Sequence, residues 1–263
     1  MNNSDLAALL KEVRKSAAKA ASFQLNELNR FNASDIVYKG KNDLVSYVDK
    51  QTEEMLVADL SKLLPEASIM AEEGGIKDNK PLQWVIDPLD GTTNYLHRLP
   101  VFSISIALRE NGKEIAGLVH EANKNECFYA WENGGAYCND EKINVSQATT
   151  LDRSLIATGF PYSLLDKTDP YFEIMKELLL KSHGLRRFGS AAVDLCYTAC
   201  GRFEGYFEFN LKDWDVAAGT LIVKEAGGTV TDFSGGDNFR SGHEVLATGL
   251  IHEELLQIIK KHW

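Results

Sequence analysis

The chain has 263 residues, 28 of them Lys or Arg and 38 Asp or Glu, for a formal net charge of −10. An apolar share of 44% and a charged share of 25% describe an ordinary globular protein with enough chain for a sizeable core. The acidic balance argues against direct binding to nucleic acid or an anionic membrane, and an anionic substrate would need cations or backbone amides to offset the repulsion.

Apolar residues at Leu6, Leu9, Leu10, Val13, Ala17, Ala20 and Ala21 predict one long helix over the first ~30 residues. A second helix is predicted over 49–64 and stopped by Pro65. Residues 82–86 read as a short strand ending at Asp87-Pro88. Strands at 101–108 and 115–120 flank the Asn111-Gly112 turn, and 127–131 follows a turn at Asn123-Lys124-Asn125. These make an antiparallel meander. Beyond it, strands at 155–158, 203–209, 229–232 and 245–248 alternate with helices at 171–181, 190–199, 216–225 and 252–261, the third closed by Gly227-Gly228. The whole reads as helices and two sheets stacked in layers, in one continuous unit.

Four scattered cysteines without a CxxC, and no leader-like opening, point to a reducing cytoplasm and no disulfides. Cys196 and Cys200, four apart with no His nearby, read as core packing rather than a zinc site. No apolar run reaches the ~18 residues of a membrane span. His97 and His120 read as structural.

Three acidic stretches stand out: Ala71-Glu72-Glu73-Gly74-Gly75, Asp87-Pro88-Leu89-Asp90-Gly91-Thr92-Thr93, and Asp213-Trp214-Asp215 before Ala217-Ala218-Gly219. In the second, an apolar strand delivers Asp87, Pro88 turns the chain, and Asp90 returns three residues later. The Leu89 carbonyl, freed from pairing, is a third oxygen. Oxygen-only ligation suits Mg²⁺. Gly91-Thr92-Thr93 then opens a helix whose bare amides favour an anion. Singly, each stretch also reads as a helix cap, a solvated loop or a plain turn.

Together, in this order and spacing, the three stretches resemble the inositol monophosphatase family. The likeness extends to Lys39-Gly40, Asp43-Leu44-Val45 and Asp49 upstream and to Glu225-Ala226-Gly227-Gly228 near the end. It implies an α+β fold, a layered αβαβα sandwich of the inositol monophosphatase/fructose-1,6-bisphosphatase type. A single domain spans 1–263, with most metal ligands and an antiparallel sheet in ~1–150 and a smaller sheet with the alcohol contacts in ~151–263. It implies a Mg²⁺-dependent, Li⁺-inhibited phosphomonoesterase with two to three ions, acting on myo-inositol 1-phosphate. Glu72, Asp87 and the Leu89 carbonyl are assigned to the first metal, and Asp87, Asp90 and Asp215 to the second. A third ion is assigned near Glu72, with the Lys39 loop beside it. Thr92 with Glu72 would orient the attacking water, and the Gly91 and Thr92 amides would cradle phosphate. Gly189, Ser190, Ala191, Glu208 and Asp215 would meet the alcohol. Asp213 departs from the family pattern, where an uncharged residue is common; it either caps the helix or alters polarity near the leaving group. The resemblance also implies a homodimer. The alternatives are a fructose-1,6-bisphosphatase or a 3′-phosphoadenosine-phosphate phosphatase, with Arg186 and Arg187 serving a second phosphate, or a regulatory or binding protein retaining the phosphatase site.

Overall fold

A computed structural model of the chain describes residues 1–28, 30, 37–40, 43–77, 80–160 and 167–263; of 37–45, 76 and 77 the backbone alone is described. Helix α1 (Asn3–Leu28) is followed by a small hairpin of β1 (Val37–Gly40) and β2 (Asp43–Val45), then by α2 (Tyr47–Leu63). Ser46 and Asp49 cap α2 reciprocally, Ser46 accepting from the Val48 amide and Asp49 from the Ser46 amide.

The first large sheet has eight strands: β3 (Ser68–Ala71), β4 (Gly75–Lys77), β5 (Leu82–Asp90), β6 (Ser103–Glu110), β7 (Lys113–Glu121), β8 (Glu126–Trp131), β9 (Gly135–Cys138) and β10 (Glu141–Ile143). From β5 to β10 it is an antiparallel meander; β3 joins β5 in parallel and carries β4 at the edge. A short helix, α3 (Thr92–Leu96), leaves the end of β5. The second sheet has five strands in the order β12 (Gly184–Arg186), β11 (Leu155–Thr158), β13 (Gly205–Phe209), β15 (Glu244–Thr248), β14 (Thr229–Thr231). Its helices are α4 (Thr168–Lys181), α5 (Ala191–Ala199), α6 (Asp213–Glu225) and α7 (His252–His262).

Strand alternation sorts the side chains into layers. Trp84, Ile86, Ile104, Ile106 and Leu118 face α1 and α2, where they meet Leu10, Val13, Leu56 and Leu60. Val85, Ala107, Val119 and Phe128 face the other way, onto α5 and α6. The far side of those two helices packs on Ala157, Tyr206, Val245 and Ala247 of the second sheet. Phe207, Phe209 and Leu246 point outward to Tyr171 and Ile174 of α4 and Leu255 and Ile259 of α7. The layers therefore run helix, sheet, helix, sheet, helix, as the resemblance implies.

The strand predicted to end at Asp87-Pro88 runs on to Asp90. The register shows how: Asp87 pairs with Ser105 and Asp90 with Ser103, so three steps on β5 answer two on β6. This is a bulge, the place within a sheet where a proline without an amide hydrogen is tolerated. The extra residue also reverses the alternation, so that Asp87 and Asp90, otherwise on opposite faces, lie on one side. All four cysteines are free, with Cys196 fully buried in the middle layer.

Candidate active site

The three acidic stretches converge at one end of the middle layer. Asp87 is buried, and its Oδ1 accepts from the Leu89 amide at 2.9 Å. Burial pushes its carboxyl well above the ordinary range, and the charges of Glu72, Asp90 and Asp215 push it further. Asp215, in the first turn of α6, is raised by burial and by Asp90, Glu72 and Glu208, although its Oδ2 accepts from the Lys212 amide at 2.6 Å. Asp90 is raised by burial against the hydrogen bonds that fix it: Ser190 Oγ donates at 2.6 Å and the Ala192 amide at 2.7 Å. Carboxylates from a β3 turn, the β5 bulge and α6 thus face one another across a short gap, the charges of Glu72 and Asp90 raising the proton affinity of both Asp87 and Asp215.

That mutual repulsion, in an all-oxygen set, fits hard divalent cations on donor chemistry and charge. As the side chains stand, among the described residues no three His, Cys, Asp or Glu are drawn close enough around one point to hold a metal ion. The fit therefore lies in the kind and number of donors facing the gap, not in a closed coordination shell.

Around the carboxylates the backbone is fixed by Thr92, Gly91 and Asp49, already singled out in the sequence, and by Glu53, Gln24 and Asn94, which were not. Thr92 Oγ1, at the start of α3, lies 3.0 Å from the Leu89 carbonyl and 3.0 Å from Asp49 Oδ1. Asp49 is buried, and burial raises its carboxyl above the usual range. Glu53 of α2 accepts from the Glu73 amide at 2.8 Å and pins the Glu72 turn. Gln24 of α1 donates to the Pro88 carbonyl at 2.8 Å and holds the bulge from outside. Asn94 of α3 donates to the carbonyls of Val101 and Phe188, each at 2.7 Å, tying α3 to the approach to α5. Gly91 must be glycine: its φ is +93°, and a Cβ would stand 3.0 Å from the Val101 carbonyl and 3.2 Å from that of Gly189.

The segment 189–191 reaches the same gap. Ser190 caps α5 by accepting from the Val193 amide at 3.3 Å, and its hydroxyl carries the bond to Asp90. Glu208 alternates with the outward Phe207 and Phe209 and so points into the middle layer. Tyr206 hydroxyl donates to it at 2.7 Å. Burial pushes Glu208 up to about 7, partly opposed by Tyr206 and by Arg187. Gly159 makes room for that carboxyl, since a Cβ there would be 1.9 Å from Glu208 Cδ. Arg187 also lowers the proton affinity of Asp90 and of buried Asp194, and is the cation facing the cluster.

Asp213 is drawn away from this centre. Both its oxygens pair with the guanidinium of Arg109 on β6, which also binds Glu114 at 2.8 Å. Neither of its expected roles, helix cap or polar group at the leaving oxygen, describes that geometry. Arg186 is exposed and donates to its neighbour's carbonyl, at 2.9 Å from Leu185. His97 is exposed, and His120 lies on the opposite face of the first sheet. The side chains of Lys39, Asp43 and their neighbours lie outside the described residues.

The sequence profile described as the inositol monophosphatase family matches residues 5–263. A curated relative from Pasteurella multocida, named Nus factor SuhB, is 41% identical over 249 residues, covering 94% of this chain and 93% of its own. The crystal structure of extragenic suppressor protein suhB from Bartonella henselae superposes with a TM-score of 0.92 at 35% identity, covering 97% of this chain and 100% of that one. The structure of inositol monophosphatase from Anabaena (Nostoc) superposes at 0.88 with 34% identity, covering 98% and 97%.

Proposed function

The chain belongs to the inositol monophosphatase family, and on that premise we propose that it hydrolyses phosphate monoesters with two to three Mg²⁺ ions, myo-inositol 1-phosphate being the substrate. The observation that carries the reading is the cluster of Glu72, Asp87, Asp90 and Asp215, Asp87 buried and the other three half-buried, whose charges oppose one another beside the first amides of α3. With the Leu89 carbonyl, these residues would hold the cations, which supply an acidified water and offset charge on the leaving oxygen. Glu72 and Thr92 orient the attacking water. The Thr92 hydroxyl is well placed for it, being fixed by Asp49 and the Leu89 carbonyl. The Gly91 and Thr92 amides hold phosphoryl oxygens. Gly189, Ser190, Ala191 and Asp215 line the alcohol side, and Glu208 accepts from ring hydroxyls. Arg187 adds positive charge there, which also keeps in view a bisphosphate substrate of the kind fructose-1,6-bisphosphatase or 3′-phosphoadenosine-phosphate phosphatase takes. The family also supports a homodimer, and the free cysteines support a reducing cytoplasm.

Steady-state kinetics test the reading. Excess EDTA abolishes turnover and Mg²⁺ restores it, and Li⁺ inhibits; full activity in EDTA would end the proposal. Across myo-inositol 1-phosphate, glycerol 2-phosphate, fructose 1,6-bisphosphate and phosphoadenosine phosphate, the first gives the highest kcat/KM. Glu208→Gln lowers kcat/KM about tenfold on inositol phosphate, or ~1–2 kcal/mol, and much less on glycerol 2-phosphate. A ratio that does not move makes Glu208 a bystander.

A second reading rests on the relatives' name. A Nus factor points to contact with the transcription machinery, and at 41% identity that role is proposed here as compatible with the first. Pull-downs comparing wild type with Asp87→Asn separate the two: retained RNA polymerase or Nus proteins on the inactive variant mean a surface role independent of catalysis, and none on either protein rejects this reading.

A further inference from the structure

A cleft of about 340 Å³ lies beneath α1, lined by Lys11, Arg14 and Lys15 from the helix and by His120, Asn125, Cys127 and Asn139 from the sheet. It is on the opposite face of the sheet from the carboxylates, because His120 has the parity of Leu118, which packs toward α1, while Val119 packs toward α6.

The charge of its wall is unusual for this protein. In a chain of net charge −10, the wall carries three cationic side chains and no carboxylate. Arg14 and Lys15 do have acidic neighbours, Asp140 at 2.5 Å and Glu12 at 2.7 Å, but both stand outside the wall. Glu12 is 49% exposed and its single contact to Lys15 is weakly held against a competing anion. Arg14, by contrast, pairs with both oxygens of Asp140, at 2.5 and 3.0 Å, and Asp140 also accepts from the Tyr129 hydroxyl, so Lys11 and Lys15 are the cations open to a ligand. Below the cations, the floor is uncharged. His120 is 4% exposed and its Nδ1 has no hydrogen-bond partner. Burial and the nearby Arg14 both hold the ring in its neutral form. Cys127, directly across the β7–β8 ladder from it, is buried, with its thiol pushed up to about 12. A buried ring nitrogen without a protein partner, beside an open polar cleft, is a place for a water or for a polar atom of a bound group. The volume is within the range of small-ligand sites and exceeds what a bare oxyanion fills.

We propose that this cleft is a second binding site, for a small organic anion carrying a phosphate or carboxylate group, with Lys11 and Lys15 taking the charge and His120 and the asparagines the uncharged polar atoms. The site is independent of the phosphatase reading.

The His120 ring resonances, identified by their loss in His120→Gln, report on it directly. The titration uses the full chain freed of divalent cations on a chelating resin, so that the carboxylate cluster on the other face repels anions and no free chelator competes for the cleft. Inorganic phosphate, glycerol 2-phosphate and tricarballylate are added against KCl at matched ionic strength. At least one organic anion shifts the resonances saturably with a Kd of about 1 mM or tighter, and Lys11→Glu/Lys15→Glu weakens it about tenfold or more. Which anion does so tells phosphate from carboxylate. If that double variant does not fold, Lys11→Gln/Lys15→Gln replaces it, with a smaller loss. Shifts reproduced by KCl, unchanged affinity in the charge variants, or no shift with either organic anion would overturn the proposal.

Discussion

The two aspartates that flank Trp214 are one residue apart from it and do different work. Asp215 joins a repelling cluster, whereas Asp213 neutralises an arginine that is 4% exposed. Substitution within the cluster, as at Asp87, and substitution at Asp213 therefore have opposite signs. The folded protein holds a proton on Asp87 more tightly than the unfolded chain does, so its ionisation costs stability as pH rises above the ordinary carboxylate range. Asp87→Asn removes that cost. In EDTA at pH 8 it raises Tm while abolishing turnover. Asp213→Asn keeps most of the turnover and lowers stability by about 1–3 kcal/mol, because a buried guanidinium keeps only Glu114 as a charged partner. Thermal melts beside initial rates check both, and a Tm loss in Asp87→Asn would mean that the cluster is not repulsive. The acids themselves were legible only through the family likeness of the three stretches taken together, since singly each also reads as a cap, a loop or a turn. The assignment of Asp213 was not, since Arg109 is 104 positions away and only the fold brings it near.

At the scale of elements, the long helices and the meander were readable because periodicity repeats over many residues. The strands β3, β4, β9, β10 and β12 were not: each is three or four residues long, too short for alternation to show. The continuation of β5 through Pro88 was missed for a different reason. Proline forbids a regular ladder, and the bulge that accommodates it depends on the partner strand. The link from that bulge to α3 can be tested at Gly91. Its φ of +93° and three backbone atoms within 3.3 Å leave no space for Cβ. Gly112, with φ of +81° and nothing within 4 Å, is the control. Gly112→Ala costs about 1 kcal/mol for conformation alone. Gly91→Ala adds crowding that the backbone cannot relieve, for a total of about 2–4 kcal/mol, and displaces the Thr92 amide. Equal losses in denaturant titrations of the two variants would show that the close approach is relaxed at no cost.

Across the whole molecule, the halves on either side of about residue 150 share one middle layer. Helices α5 and α6 arise from the second half yet bury Val85, Ala107, Val119 and Phe128 of the first. Unfolding followed by tryptophan fluorescence and by far-UV circular dichroism is accordingly a single coincident transition; two separated steps would divide the chain into independent units. That the sheets stack in layers was readable from the pattern, but the order of the layers was foreseeable only through family likeness, because no local pattern says which helix fills the space between sheets. It also bears on the order in which a ribosome delivers the chain. Glu72, Asp87 and Asp90 emerge close together, but Asp215 follows Asp90 by 215 − 90 = 125 residues. Until α6 arrives, the eight-stranded sheet keeps one apolar face bare and its acids face no fourth carboxylate. A nascent chain must therefore carry an inactive, adhesive half-site until α6 is made, and premature truncation before α6 leaves a fragment that aggregates rather than one that works slowly.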